Sequence, residues 1–143
     1  MAQAESEAQP PATLPTVTGR VEAKTDDGLV LSIPGTDYRL HLVLGQPLEA
    51  EVGDKAAGTI YARAKRVDPI RSGGRFIEPS YGRPRHAQGM IVGGDVQANR
   101  LYVQCGGAPF IATLLPSQQA SQFAIGQMVL FDVERGAAFV EAG

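Results

Sequence analysis

Apolar and polar residues alternate in short runs along most of this chain. Leu29, Leu31 and Ile33 share one face of a period-two pattern, and so do Leu101, Val103 and Cys105. That period predicts half-buried strands. Further runs stand at Tyr38-Arg39-Leu40-His41-Leu42, Gly58-Thr59-Ile60-Tyr61-Ala62, Pro109-Phe110-Ile111-Ala112-Thr113-Leu114 and Met128-Val129-Leu130-Phe131-Asp132-Val133. Asp26-Asp27-Gly28 and Gly93-Gly94-Asp95 are expected to supply the positive-φ residues of tight turns between them. One segment breaks the pattern. Pro116-Ser117 opens Gln118 to Ala124, which predicts a short helix with Ser117 as N-cap and Gly126 closing it. No apolar run approaches the roughly 18 residues of a membrane-spanning helix, so the chain is expected to have no membrane span.

The pattern repeats. Gly19-Arg20-Val21 precedes the run at Gly28, and Gly89-Met90-Ile91 precedes the run at Asn99-Arg100-Leu101. Val52-Gly53-Asp54 before Gly58-Thr59-Ile60 is answered by Ile125-Gly126-Gln127 before Met128-Val129-Leu130. The offset between the halves is 70 at Gly19 and Gly89 and 73 at Gly53 and Gly126. Such a period points to a duplication. Each half reads as three strands, a loop or short helix, and one or two more strands, an order that suits a small barrel without free edges. The expected fold class is therefore all-β, two tandem, duplicated, small OB/SH3-like barrels with one short helix in the second. Residues 17–67 form the first barrel, 68–87 a basic Pro/Gly-rich connector, and 88–143 the second barrel. Residues 1–16, with two acids, three prolines and no apolar period, read as a disordered tail.

The Gly-x-Val start at Gly19, the strand at Gly28 and the Val52-Gly53-Asp54 step before a last strand resemble OB-type small β-barrels. Among these the chain is most similar to paired TOBE modules, over residues 17–67 and 88–141. The resemblance implies paired barrels with a binding role, and for the oxyanion-binding branch a site for small anions such as molybdate between the halves. That branch typically carries a Ser-Ala-Arg-Asn stretch. Here the corresponding stretch is Tyr61-Ala62-Arg63-Ala64, so no ligand residue carries over.

Composition narrows the class. The 143 residues are 43% hydrophobic and 20% charged, a globular balance for one domain or two very small ones. The 17 glycines and 10 prolines favour short strands over long helices. A net charge of −2 selects no partner, but its distribution does. Residues 63–85 hold seven cations (Arg63, Lys65, Arg66, Arg71, Arg75, Arg83 and Arg85) against Asp68 and Glu78, while both flanks are acidic. Arginine grips phosphate in two places and stacks on flat rings. Tyr61, Phe76 and Tyr81 are interleaved with these arginines, the pairing used by single-stranded nucleic-acid grooves. Ser72-Gly73-Gly74 would let backbone amides approach an anion. The nominated binding residues are Arg63, Arg66, Arg71, Arg75, Phe76, Tyr81, Arg83 and Arg85. The alternative is a connector that neutralises its acidic flanks within the molecule, with Phe76 and Ile77 tucked onto a barrel.

Catalytic patterns are sparse. Cys105, His86 and Asp95 are the only set resembling a nucleophile, base and orienting acid, and nothing in their spacing joins them. Cys105 alternates with Leu101 and Val103 and reads as a small core residue. His41 reads as a surface strand residue, and Asp26-Asp27 as part of a turn. No Gly-x-Gly-x-x-Gly, P-loop or metal-ligand spacing occurs, and one cysteine excludes an internal disulfide. The expected function is a non-catalytic binding module without cofactor or metal, gripping a polyanion such as single-stranded nucleic acid through the connector. The alternatives are a structural or protein-interaction domain, self-associating as a homo-oligomer or binding another protein, and a TOBE-type oxyanion binder. The unpaired cysteine and the absence of a basic, apolar leader make a cytoplasmic location the expectation. The Ala2-Gln3-Ala4-Glu5 start could also follow a removed signal peptide, leaving a secreted mature form as the other reading.

Overall fold

The structure is a computed structural model that describes residues 14–142. Most of the tail expected over residues 1–16 lies outside the described residues. From Val17 onward the period-two runs become strands: β1 (Val17–Lys24), β2 (Gly28–Ser32), β3 (Arg39–Leu44), β4 (Lys55–Ile70), β5 (Phe76–Glu78) and β6 (Tyr81–Gly82). They continue with β7 (His86–Asp95), β8 (Arg100–Cys105), β9 (Ala108–Thr113), β10 (Met128–Val133) and β11 (Ala138–Glu141). Leu29, Leu31 and Ile33 turn inward as their alternation requires, as do Leu101, Val103 and Cys105. One continuous core takes residues from both halves, with Phe110, Phe131 and Phe139 fully buried.

The strands form one mixed sheet, and here the expectation of two tandem barrels needs correction. Neither residues 17–67 nor residues 88–143 make a closed barrel. β1, β2 and β3 form an antiparallel meander, and β1 also pairs with the start of β4, from Val17↔Gly58 to Arg20↔Lys55. The gap between β3 and β4 is filled by β11, from the far end of the chain. β7, β8 and β9 form a second meander, and β7 pairs with β10. The gap between β9 and β10 is filled by β4, parallel to β9 over Ile60–Arg63 and antiparallel to β10 over Ala64–Ile70. Each meander thus takes a strand from the other half of the sequence. The physical cause is the length of β4. At 16 residues it spans about 50 Å, far beyond one side of a small barrel. It runs through the expected boundary at residues 67 and 68, with Pro69 near its end, where a missing amide matters least.

Two places in the sheet carry matching details. The β1–β2 ladder shifts register between Val21 and Ala23, and the β7–β8 ladder between Ile91 and Gly93. At the first, Val21 N–H donates to Asp54 O (2.9 Å) and Gly53 N–H to Val21 O (2.8 Å). At the second, Ile91 N–H donates to Gln127 O (2.9 Å) and Gly126 N–H to Ile91 O (2.8 Å). Gly53 and Gly126 have φ of 96° and 92°, a conformation that glycine adopts without strain.

Two local expectations also change. Gly28, Gly93 and Gly94 do not take positive φ. Gly93-Gly94-Asp95 continues β7 past its bulge, and the turn falls later, where Asn99 has φ 57° and Asp95 Oδ1 accepts the Ala98 N–H at 3.2 Å. The helix expected over Gln118–Ala124 shortens to a 3₁₀ turn, Ala120–Gln122, preceded by Gln119 rather than capped by Ser117. Gln118 is held elsewhere. Its amide receives the Val67 N–H and donates to Val67 O, both at 2.8 Å, so one side chain stands in for a neighbouring strand on β4. Asn99 anchors the same segment through Gln118 O and the Ala120 N–H.

The basic connector is strapped to the sheet. β5 pairs with β7 and β6 with β3. Ile77 is buried, and its N–H donates to Tyr38 Oη at 3.0 Å. The Glu78–Pro79 bond is cis.

Candidate nucleic-acid interface

β3 offers one edge to β2 along its length, and the other edge is shared. β6 lies along Arg39 and Leu40, and β11 along Val43 and Leu44. The residues that follow β6 and those that precede β11 therefore meet on that edge. The first group brings Arg83 and Arg85, and the second brings Arg135 from the turn before β11. Leu40 and Leu42 point into the core, so the alternation sends Arg39, His41 and Val43 outward.

Tyr81 lies beside Arg39 and His41. The residue is 60% exposed, with the Arg39 guanidinium 5.8 Å from its ring centroid and the His41 ring edge-on at 5.3 Å. The half-buried Arg83 feels its neighbours: lost hydration, then the Arg135 and Arg85 guanidiniums, hold its pKa below the ordinary arginine value. It remains a cation at any physiological pH. Among the described residues, Arg39, Arg83, Arg85 and Arg135 are in no ion pair.

The other nominated arginines fare differently. Arg63 faces Glu134 at 3.4 Å, and Arg66 faces Asp68 at 2.8 Å, so both charges are already answered at exposed sites. Arg66 and Lys65 both face solvent because the β4–β10 ladder shifts register between Ala64 and Val67. Arg71 and Arg75 lie exposed on the loop before β5, whose Gly74 carbonyl accepts from Gln88 Nε2 at 2.8 Å. Of the nominated set, the structure gathers Tyr81, Arg83 and Arg85, and Arg63 borders them through Glu134, next to Arg135. Arg39 and Arg135 belong to the cluster and escape sequence reasoning. Arg39 had a signal, its outward place in the period-two run. Arg135 had none, since only the β11 crossover carries it there.

Beside the cluster, the connector, His86 and the residues just before β3 line an open groove of about 780 Å³. Tyr38, Phe76, Ile77 and Pro79 give it apolar walls, and Asp37, Glu78, Arg85 and His86 line it with polar groups. The Phe76 and His86 rings are 6.1 Å apart, and His86 Nδ1 lies 2.8 Å from Asp132 Oδ1. A second hollow of about 430 Å³ lies by Arg66 and Gln118, beside the amide that completes β4.

The catalytic grouping is not assembled. His86 and Asp95 stand at opposite ends of β7, about 30 Å apart along an extended strand. Cys105 is fully buried, and burial pushes its thiol pKa well up, away from the thiolate a nucleophile needs. Among the described residues no three or more His, Cys, Asp or Glu side chains are placed to hold a metal ion, and no helix is long and apolar enough to cross a membrane. The chain matches no protein-family model, no curated protein and no solved structure.

Proposed function

We propose that this protein is a non-catalytic binding module that grips single-stranded nucleic acid on the outer face of β3. The observation that carries this reading is a group of cations beside the exposed Tyr81: the Arg39 guanidinium stands over its ring, Arg83 two residues on feels the charges of Arg85 and Arg135, and none of the four is in an ion pair among the described residues. Guanidiniums that crowd one another repel, so an arriving anion relieves the cluster rather than merely neutralising a pair. Tyr81 offers a flat face for a base while the arginines take the phosphates.

We further propose that the two meanders are duplicated halves, each an OB/SH3-like small barrel completed by a strand from the other. The matched register shifts at Val21 and Ile91, their paired backbone hydrogen bonds and the near-equal φ of Gly53 and Gly126 support this reading. So does the parallel entry of β11 beside β3 and of β4 beside β9.

Fluorescence anisotropy with labelled single-stranded RNA and DNA tests the function. Binding is expected to weaken steeply with salt, because each neutralised phosphate releases counterions. Changing Arg83, Arg85 and Arg135 together to alanine should abolish most binding and reduce the magnitude of the log–log salt slope by about 2. Unchanged affinity in that variant would overturn the reading.

A further inference from the structure

Two carboxylates stand where a polyanion site should least want them. Asp37 and Glu78 line the groove that Arg85 also lines, and Arg85 belongs to the cationic cluster on β3. Among the described residues neither carboxylate is in an ion pair, and both residues are exposed. Next to phosphates they would repel, unless they receive hydrogen bonds from a donor that the strand itself brings. The groove supplies the other requirements of a base pocket. Phe76 and Tyr38 offer flat faces, Pro79 and Ile77 add apolar lining, and the Tyr38 hydroxyl is held in place by the Ile77 N–H. Its volume of about 780 Å³ is in the range of small-molecule sites.

We propose that this groove receives one unstacked guanine from a strand whose phosphates lie on the arginine cluster, an inference that rests on the polyanion reading above. Guanine is selected by the chemistry of its Watson–Crick edge. Its N1–H and exocyclic N2–H₂ are adjacent donors, matching the two oxygens of a carboxylate. Adenine and cytosine present one amino group beside a ring acceptor, which a carboxylate repels. Thymine and uracil present one N–H between two carbonyls, and a carboxylate facing them meets two oxygen dipoles. Only guanine turns Glu78 and Asp37 from a repulsive element into a selective one. Arg85 bridges the two parts, with its charge serving the phosphate next to the bound base.

The test uses the whole chain and an all-thymidine oligonucleotide of about a dozen nucleotides, compared with versions carrying one central guanine, adenine or cytosine. The guanine version is expected to bind on the order of tenfold more tightly than the other three. Replacing both carboxylates, Asp37→Asn with Glu78→Gln, should remove the guanine advantage while the all-thymidine strand binds as well as before or better. Both side chains are exposed, so unchanged thermal unfolding should accompany the change. If all four oligonucleotides bind equally to the unmodified protein, the guanine inference is overturned while the polyanion reading stands. If guanine preference persists in the double variant, the groove is not its source, and the inference is likewise overturned. If no oligonucleotide binds at low salt, both readings fall together.

Discussion

Tyr81 shows how one exposed side chain separates binding from stability. At 60% exposure it contributes little to the core, yet its ring lies beside the Arg39 guanidinium and the His41 edge. Under the proposed function a base stacks on it. Tyr81→Ala should then weaken single-stranded binding by roughly 5- to 150-fold, the equivalent of about 1–3 kcal/mol for one stacked base. The melting temperature should stay within about a degree or two, since exposed positions rarely move stability by more than ~0.5 kcal/mol. Anisotropy and thermal unfolding on the same preparation check both halves of this expectation, and a melting loss matching the binding loss would assign Tyr81 a structural role instead. Other residues at this scale were readable from their neighbours. Cys105 reads as a core residue from its alternation with Leu101 and Val103, and the structure buries it completely. His41 reads as a surface strand residue and is one. The arginines were readable as a charge cluster but not as paired or unpaired, because Glu134 reaches Arg63 from 71 residues away.

Strands carry the next level of information. The apolar pattern located β2, β3, β8, β9 and β10 closely; β2, β3 and β10 alternate buried and more exposed positions, whereas β9 is buried at every position from Ala108 to Ala112. The pattern placed the turn after β7 too early, reading Gly93-Gly94 as a turn when these residues extend a bulged strand. Glycine in a strand also marks close approach of backbones, and Gly89 is such a case. A Cβ there would collide with Gln104 O on β8, and Val103 Cγ1 would lie only 3.0 Å away. Gly89→Ala is therefore expected to destabilise the fold by about 1–3 kcal/mol, the usual result of forcing extra volume into a packed site. Denaturant unfolding measures it, and a change below about 0.5 kcal/mol would show that the β7–β8 spacing yields easily. The short helix failed for a different reason. Its propensity signals were real, but the Gln118 amide makes two bonds to Val67 and Asn99 holds the following turn, and these tertiary bonds outweigh a cap.

At the scale of the molecule, the exchange of strands makes the halves interdependent. β11 completes the first meander and β4 completes both, so a core residue on β11 stabilises an assembly formed mostly by distant sequence. Phe139 is fully buried on β11 and packs in the common core. Phe139→Ala is expected to cost about 3–5 kcal/mol. The loss should appear in one cooperative transition for the whole chain, seen at the same midpoint by far-ultraviolet circular dichroism and by tyrosine fluorescence. Two separated transitions would mean that each meander is stable without the strand it receives.

By itself the sequence determined what local physics controls. Alternation chose strands over helices, the glycine and apolar spacing set up the expectation of a repeat, and charge counting found the arginine-rich stretch between the meanders. Those signals work because a strand's side chains alternate and a half-buried face must be apolar, whatever lies across from it. Tertiary structure alone decided which strands pair, because a backbone hydrogen bond has no side-chain code for its partner. It carried β4 through a boundary that its charge and Pro69 had marked as an end, and inserted β11 beside β3. That insertion also brings Arg135 to Arg83, and β6 brings Tyr81 to Arg39. The charge of the candidate site is written along the chain, but its geometry exists only where distant strands meet.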